Sequence, residues 1–165
     1  MEVSSEPGKG SEFTIYLPAS GRVEMPARPA DEGMVYGKGR VLVLEDEAIV
    51  TLVCREILMT LGYEADFVAT GEEILKKYPD AMESGSAYDI VILDLTVRGG
   101  MGGKETMKGL LALDPHVRAI VSSGYAEDPV MANYRDYGFK AMLAKPYKVE
   151  TISKALHELM FDNRA

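Results

Sequence analysis

The strongest constraint on the fold is a set of short apolar runs, each of which stops at a polar, chemically capable residue. Val41-Leu42-Val43-Leu44 stops at Glu45-Asp46-Glu47, and Ile90-Val91-Ile92-Leu93 stops at Asp94. Ala119-Ile120-Val121 leads to Ser122-Ser123-Gly124, and Ala141-Met142-Leu143-Ala144 to Lys145-Pro146. Tyr63 to Val68 reads as one more strand. Runs this short, with no polar alternation, predict strands buried on both faces. Segments of helical spacing lie between them. Ile49, Val50, Val53, Cys54, Ile57, Leu58 and Leu61 share one helical face, and Gly62 supplies the stop. Thr70-Gly71-Glu72-Glu73 reads as a capping box that opens a second helix, which Pro79 bends or ends. Further helices are predicted from about Lys104 to Leu113, Asp128 to Tyr137 and Val149 to Met160. Such alternation predicts an α/β domain, a doubly wound five-stranded parallel sheet with helices on each side.

In a parallel sheet the strand ends share one edge, and ligands bind beyond the carboxyl ends where the strand order reverses. Glu45, Asp46, Asp94, Ser123 and Lys145 are therefore expected in one crevice. Three carboxylates placed together resist full ionisation unless a cation joins them. Hard oxygen ligands with open water positions suit Mg²⁺. Lys145 and the Ser123 hydroxyl are then placed to hold phosphoryl oxygens. Phosphoryl transfer needs mainly positioning and charge neutralisation, and a carboxylate can serve as its nucleophile.

The flanks read differently. Up to about Pro18, Phe13, Ile15 and Leu17 alternate with Thr14 and Tyr16, which predicts one half-buried strand after the turn-rich Gly8-Lys9-Gly10-Ser11. One strand makes no core, so residues 1–18 look like the end of a larger unit. Residues 19–39 carry Pro26, Pro29 and several glycines without periodicity, the composition of a linker. The main domain is expected over residues 40–163. With 18 basic against 26 acidic residues the net charge is −8, which disfavours direct contact with nucleic acid or anionic lipid. No apolar run approaches a membrane span and no signal-peptide pattern opens the chain, so a cytoplasmic setting is expected. Cys54 is the lone cysteine and falls in the helical apolar pattern, as a core residue would.

The main domain closely resembles the receiver domain of bacterial and archaeal response regulators. The resemblance rests on Val43-Leu44-Glu45-Asp46-Glu47, Val91-Ile92-Leu93-Asp94-Leu95, Ser123-Gly124-Tyr125 and Lys145-Pro146-Tyr147, in this order. It implies a flavodoxin-like receiver fold and a Mg²⁺-dependent phosphoryl acceptor at Asp94. It further implies Asp46 as a direct metal ligand, Glu45 as a ligand through water, and the Thr96 backbone carbonyl as the third protein ligand. Ser123 resembles the switch hydroxyl and Lys145 the phosphate-pairing lysine, with a cis bond to Pro146. Gly8 to Pro18 is similar to the last strand of the ATP-binding domain of sensor histidine kinases. Together the segments resemble the C-terminal piece of a hybrid sensor kinase. The implied partners are a sensor histidine kinase or a histidine phosphotransferase, with the oligomeric state left open. The nucleotide-binding boxes of such kinases are not in the chain, so neither ATP binding nor enzyme activity of its own is expected. Output is expected through a partner, on the face of the fourth helix, fifth strand and fifth helix.

Departures from the family pattern carry their own expectations. Arg98 stands where a proline is common, inside the glycine-rich Thr96-Val97-Arg98-Gly99-Gly100-Met101-Gly102-Gly103, a loop expected to be mobile. Its side chain reads as solvated. Met142 occupies the place of the usual aromatic switch, which leaves open whether Met142 or Tyr125 replaces it. Thr96 and Tyr125 are poor bases, which predicts slow self-dephosphorylation. His116 and His157 lie in no kinase-like histidine box and read as structural. Two alternatives compete: an interaction domain that never turns over phosphate, and an aspartyl-phosphate phosphatase, which Thr96 disfavours because that class needs a second acid there.

Overall fold

The computed structural model describes residues 1–17, 34–125 and 128–161. The chain divides into two units, Met1–Glu32 and Gly33–Ala165.

The first unit holds an antiparallel hairpin, β1 (Glu2–Glu6) paired with β2 (Gly10–Thr14). Sequence reading found one of these strands and placed it too late. The Glu2–Glu6 segment carries one apolar side chain, Val3, so pairing rather than hydrophobic patterning defines it. Within this unit Phe13, Ile15 and Leu17 are exposed, which corrects the expectation of a half-buried strand.

The second unit carries a five-stranded parallel sheet: β3 (Arg40–Leu44), β4 (Glu64–Val68), β5 (Ile90–Asp94), β6 (Ala119–Ser123) and β7 (Ala141–Ala144), in the order β4-β3-β5-β6-β7. The helices are α1 (Ala48–Thr60), α2 (Gly71–Glu83), α3 (Gly103–Leu113), the short α4 (Pro129–Ala132) and α5 (Val149–Phe161). The doubly wound expectation holds. Alternate residues of each central strand feed opposite layers. Val41, Val43, Ile90 and Ile92 pack with Cys54, Leu58, Ile152 and Leu156 of α1 and α5. Leu42, Leu44, Val91 and Leu93 pack with Ile74, Met107 and Leu110 of α2 and α3. A fully buried leucine of this kind contributes about 1.5–3 kcal/mol.

Burial on both faces holds for β3, β5 and β6. It fails at the two edges, where Met142 and Ala144 of β7 and Glu64 of β4 face solvent. Helix α1 buries a narrower stripe than its sequence offers: Cys54, Ile57 and Leu58 are buried, whereas Ile49 and Val53 are exposed. Helix α2 runs on through Pro79 instead of ending there. Thr70 occupies the cap position, but its hydroxyl lies 3.4 Å from the Glu73 carboxylate and caps no amide. The fourth helix is broken. Asp128 caps it through the Val130 N–H (2.8 Å), α4 stops at Ala132, and a 3₁₀ turn over Tyr134–Tyr137 follows.

Residues 34–39 are not free linker. The Val35 N–H donates to Ser153 Oγ (2.6 Å), and the same hydroxyl donates back to the Val35 carbonyl (2.9 Å). Gly37 N–H bonds the Leu61 carbonyl (2.9 Å), and a side chain at Gly37 would run into Tyr63. This strap fastens to α5 and to the end of α1. The rest of the expected linker lies outside the described residues.

Candidate functional site

The sheet order places the reversal between β3 and β5, because the chain moves outward to β4 on one side and to β6 and β7 on the other. Their carboxyl ends present Glu45 and Asp46 on one side of the crevice and Asp94 on the other. Ligand oxygens of these three residues lie within 4.8 Å of one another. Glu45 and Asp94 are 4% and 3% exposed, so their charges are largely removed from water. Asp46 is half-buried.

Lys145, just past β7, reaches back across the crevice. Its Nζ lies 2.5 Å from Glu45 Oε2 and 2.9 Å from Asp94 Oδ2. Burial pushes Glu45 above the ordinary carboxylate range, and the ammonium pulls it only part of the way back. Burial also works against the Lys145 charge, but Glu45 and Asp94 outweigh it and lift its pKa. Glu45 Oε2 has the ammonium's charge beside it but no aligned hydrogen bond among the described residues. Three carboxylates against one ammonium leave excess negative charge in the crevice, and the set of hard oxygens fits Mg²⁺. The Lys145–Pro146 bond is cis.

The remaining expected residues take these places. Thr96 is exposed, and its N–H lies 3.3 Å from Asp94 Oδ1. Ser123 is buried at the end of β6, where its Oγ accepts the Tyr125 N–H (3.0 Å). Accepting that bond through a lone pair leaves the hydroxyl proton uncommitted among the described residues. Tyr125 is exposed, and Met142 is half-exposed beside Tyr134 and Lys154. His116 is exposed and lies outside the crevice. His157 packs against Phe161, also away from the carboxylates. Cys54 is fully buried, as expected, and burial pushes its thiol up to about 12.

Two features escaped sequence reading. The Arg98 N–H donates to Asp46 Oδ2 (3.1 Å), so Arg98 touches the site through its main chain. Ser122, fully buried beneath the site, shares a hydrogen bond with the Tyr147 hydroxyl (2.8 Å). The Ser-Ser doublet was the available signal for the second. A main-chain donor leaves none. The glycine-rich loop is also tied down. Met101 donates to Glu72 Oε2 (3.1 Å) and accepts from the Gly71 N–H (2.9 Å). At Gly103 a Cβ would stand 2.6 Å from the Asp94 carbonyl. Glycine serves close approach there.

The family described as the response regulator receiver domain matches residues 41–157. The chain belongs to that family. It is 28% identical over 121 residues to the chemotaxis protein CheY of Thermotoga maritima, covering 73% of this chain and 96% of CheY. It is 30% identical over 165 residues to the sensor kinase CckA of Brucella abortus, covering 94% of this chain but 17% of CckA. In three dimensions it resembles the receiver domain of the sensor histidine kinase PA1611 from Pseudomonas aeruginosa, solved with magnesium in its active-site cleft. That likeness has a TM-score of 0.66 at 21% identity and covers 75% of this chain and 98% of the other. The receiver is of the type found in CheY and in hybrid kinases, consistent with phosphoryl-accepting two-component signalling. No helix among the described residues is long and apolar enough to cross a membrane.

Proposed function

We propose that Asp94 accepts a phosphoryl group from a phosphohistidine, and that the modified receiver signals through a protein partner. The observation that carries this is the Lys145 ammonium spanning Glu45 and Asp94 at the reversal point of the sheet. In the reaction an Asp94 oxygen attacks phosphorus, the bond to the donor imidazole nitrogen breaks, and the imidazole departs with the bonding electrons. Asp94, Asp46, the Thr96 carbonyl and, through water, Glu45 would hold Mg²⁺, which supplies charge neutralisation for the phosphoryl oxygens. Lys145 exchanges its ion pair with Asp94 for one with a phosphoryl oxygen. Ser123 donates its hydroxyl proton to the same group without giving up the Tyr125 N–H. A local charge event of this kind biases a two-state element, here the face of α4, β7 and α5. With Thr96 two residues past Asp94 and Tyr125 two past Ser123, neither of them a good base, self-dephosphorylation is slow.

Residues 1–18 are read as the end of a histidine kinase ATP-binding domain, followed by a linker into the receiver. The reading is supported by the match to CckA, which covers 94% of the chain where the match to CheY covers 73%. The parent is then a cytoplasmic-facing hybrid kinase, and the phosphodonor its own kinase core or a histidine phosphotransferase.

The test is amide NMR with Mg²⁺, then with beryllofluoride, a phosphoryl mimic. Shifts centred on Asp94, Ser123 and Lys145 and spreading to β7 and α5 are expected. Absence of any Mg²⁺-dependent shift would move the protein to the interaction-domain class.

A further inference from the structure

We propose that the Arg98 main-chain N–H and the Glu72 carboxylate are positioning groups for the metal site: the first aims Asp46, and the second anchors the loop that carries the first. This rests on the phosphoacceptor reading above.

Asp46 follows β3 and is half-buried, so its carboxylate stands at the crevice rather than in the core. The Arg98 N–H, 3.1 Å from Oδ2, holds that carboxylate from across the crevice. A carboxylate held by one oxygen keeps the second for a cation and loses less freedom when the cation arrives. Hydrogen bonds to metal-ligating carboxylates orient them and tune affinity.

The loop must itself be held for its N–H to serve. At its near end the Thr96 N–H leans on Asp94 Oδ1 (3.3 Å). At its far end Met101 is clasped in both directions by α2, donating to Glu72 Oε2 and accepting from the Gly71 N–H. Glu72 sits in the first turn of that helix, where its own amide and that of Met101 hold its carboxyl below the usual range. It therefore stays an acceptor through the neutral range. Gly99, at φ +76°, makes the bend between the two anchored ends. The loop, α2 and both ligand-bearing strand ends form one connected frame, in which Glu72 touches no reacting atom.

The experiment measures Mg²⁺ affinity by calorimetry alongside Mg²⁺-dependent modification by acetyl phosphate. Arg98→Pro removes the N–H together with the side chain, Arg98→Ala removes the side chain alone and keeps the N–H, and Glu72→Ala removes the far anchor. Arg98→Pro and Glu72→Ala are each expected to weaken Mg²⁺ binding about 10-fold, the low end of outer-shell effects, because Asp46 is only half-buried. Modification slows at sub-saturating Mg²⁺ and recovers at saturation, a split that a general loss of fold would not give. The conservative replacements Arg98→Lys and Glu72→Gln rescue the affinity. Thermal unfolding checks that Arg98→Pro folds, and Glu72→Ala carries the test if it does not. An unchanged or tighter affinity in Glu72→Ala or in a folded Arg98→Pro overturns the proposal, as does a loss in Arg98→Ala equal to that in Arg98→Pro. A wild-type protein that neither binds Mg²⁺ nor is modified overturns the receiver reading itself, a separate and recognisable result.

Discussion

Replacing Lys145 with methionine keeps most of the aliphatic stem and deletes the ammonium. The structure makes this costly. The lost charge stands 2.5 Å from Glu45 Oε2 and 2.9 Å from Asp94 Oδ2, on side chains only 0% and 5% exposed. Removing one partner of a buried ion pair typically costs 3–5 kcal/mol, because the remaining charge stays out of water. The 14% exposure of Lys145 puts this case at the low end, about 3 kcal/mol. For a domain of this size that lowers the melting temperature by roughly 10 °C. Two conditions relieve the loss. Mg²⁺ replaces the missing charge, so saturating metal stabilises Lys145→Met more than wild type. Acid does the same by protonating Glu45. Its pKa is already raised by burial and rises further without the ammonium, so the folded chain binds a proton more tightly than the unfolded one, and stability grows as pH falls toward the ordinary carboxylate value. The assay is urea and thermal unfolding of both proteins, with and without Mg²⁺, from neutral pH to about pH 5. A loss under about 1 kcal/mol, or one indifferent to both Mg²⁺ and pH, would refute the reasoning that the ammonium neutralises a buried carboxylate pair.

Three further outcomes are expected. Ser153→Ala removes both bonds to Val35, so stability falls by about 1–2 kcal/mol and hydrogen exchange at the Val35 amide accelerates; unchanged exchange would show that the strap is held elsewhere. Tyr147→Phe leaves the buried Ser122 hydroxyl without its partner at a cost of about 1–2 kcal/mol, and Ser122→Ala in the same chain restores much of it, which a double-mutant cycle measures. Cys54, fully buried and with its thiol pushed up to about 12, reacts with thiol reagents at pH 8 only as fast as the protein opens, so the reaction follows unfolding across a urea series.

The central strands were legible because β3, β5 and β6 are buried on both faces, and continuous apolar runs signal that directly. The edge strands were overread, since a run such as Ala141–Ala144 does not announce its place in the strand order. The site was legible for the same reason as the core: Glu45, Asp46, Asp94 and Lys145 each punctuate an apolar run, and a parallel sheet gathers those ends. Strand β1 escaped because pairing, not burial, defines Glu2–Glu6. The strap escaped because Ser153 lies 118 residues from Val35 and no local pattern joins them. The break after Ala132 escaped because the apolar spacing continues into Tyr134 and Tyr137 while the backbone at Asn133 leaves the helix. The Arg98 contact escaped because a main-chain N–H is common to nearly every residue. The glycines between Arg98 and Lys104 were read as freedom, whereas the structure uses Gly103 to bring a helix start against the Asp94 carbonyl.

The most direct test of the central claim is intact mass after incubation with acetyl phosphate, with and without Mg²⁺, for wild type and Asp94→Asn. One phosphoryl mass is expected on the wild type only when Mg²⁺ is present, and none on Asp94→Asn. Modification that ignores Mg²⁺ or persists in the variant would contradict that claim, as would a wild-type protein that is never modified.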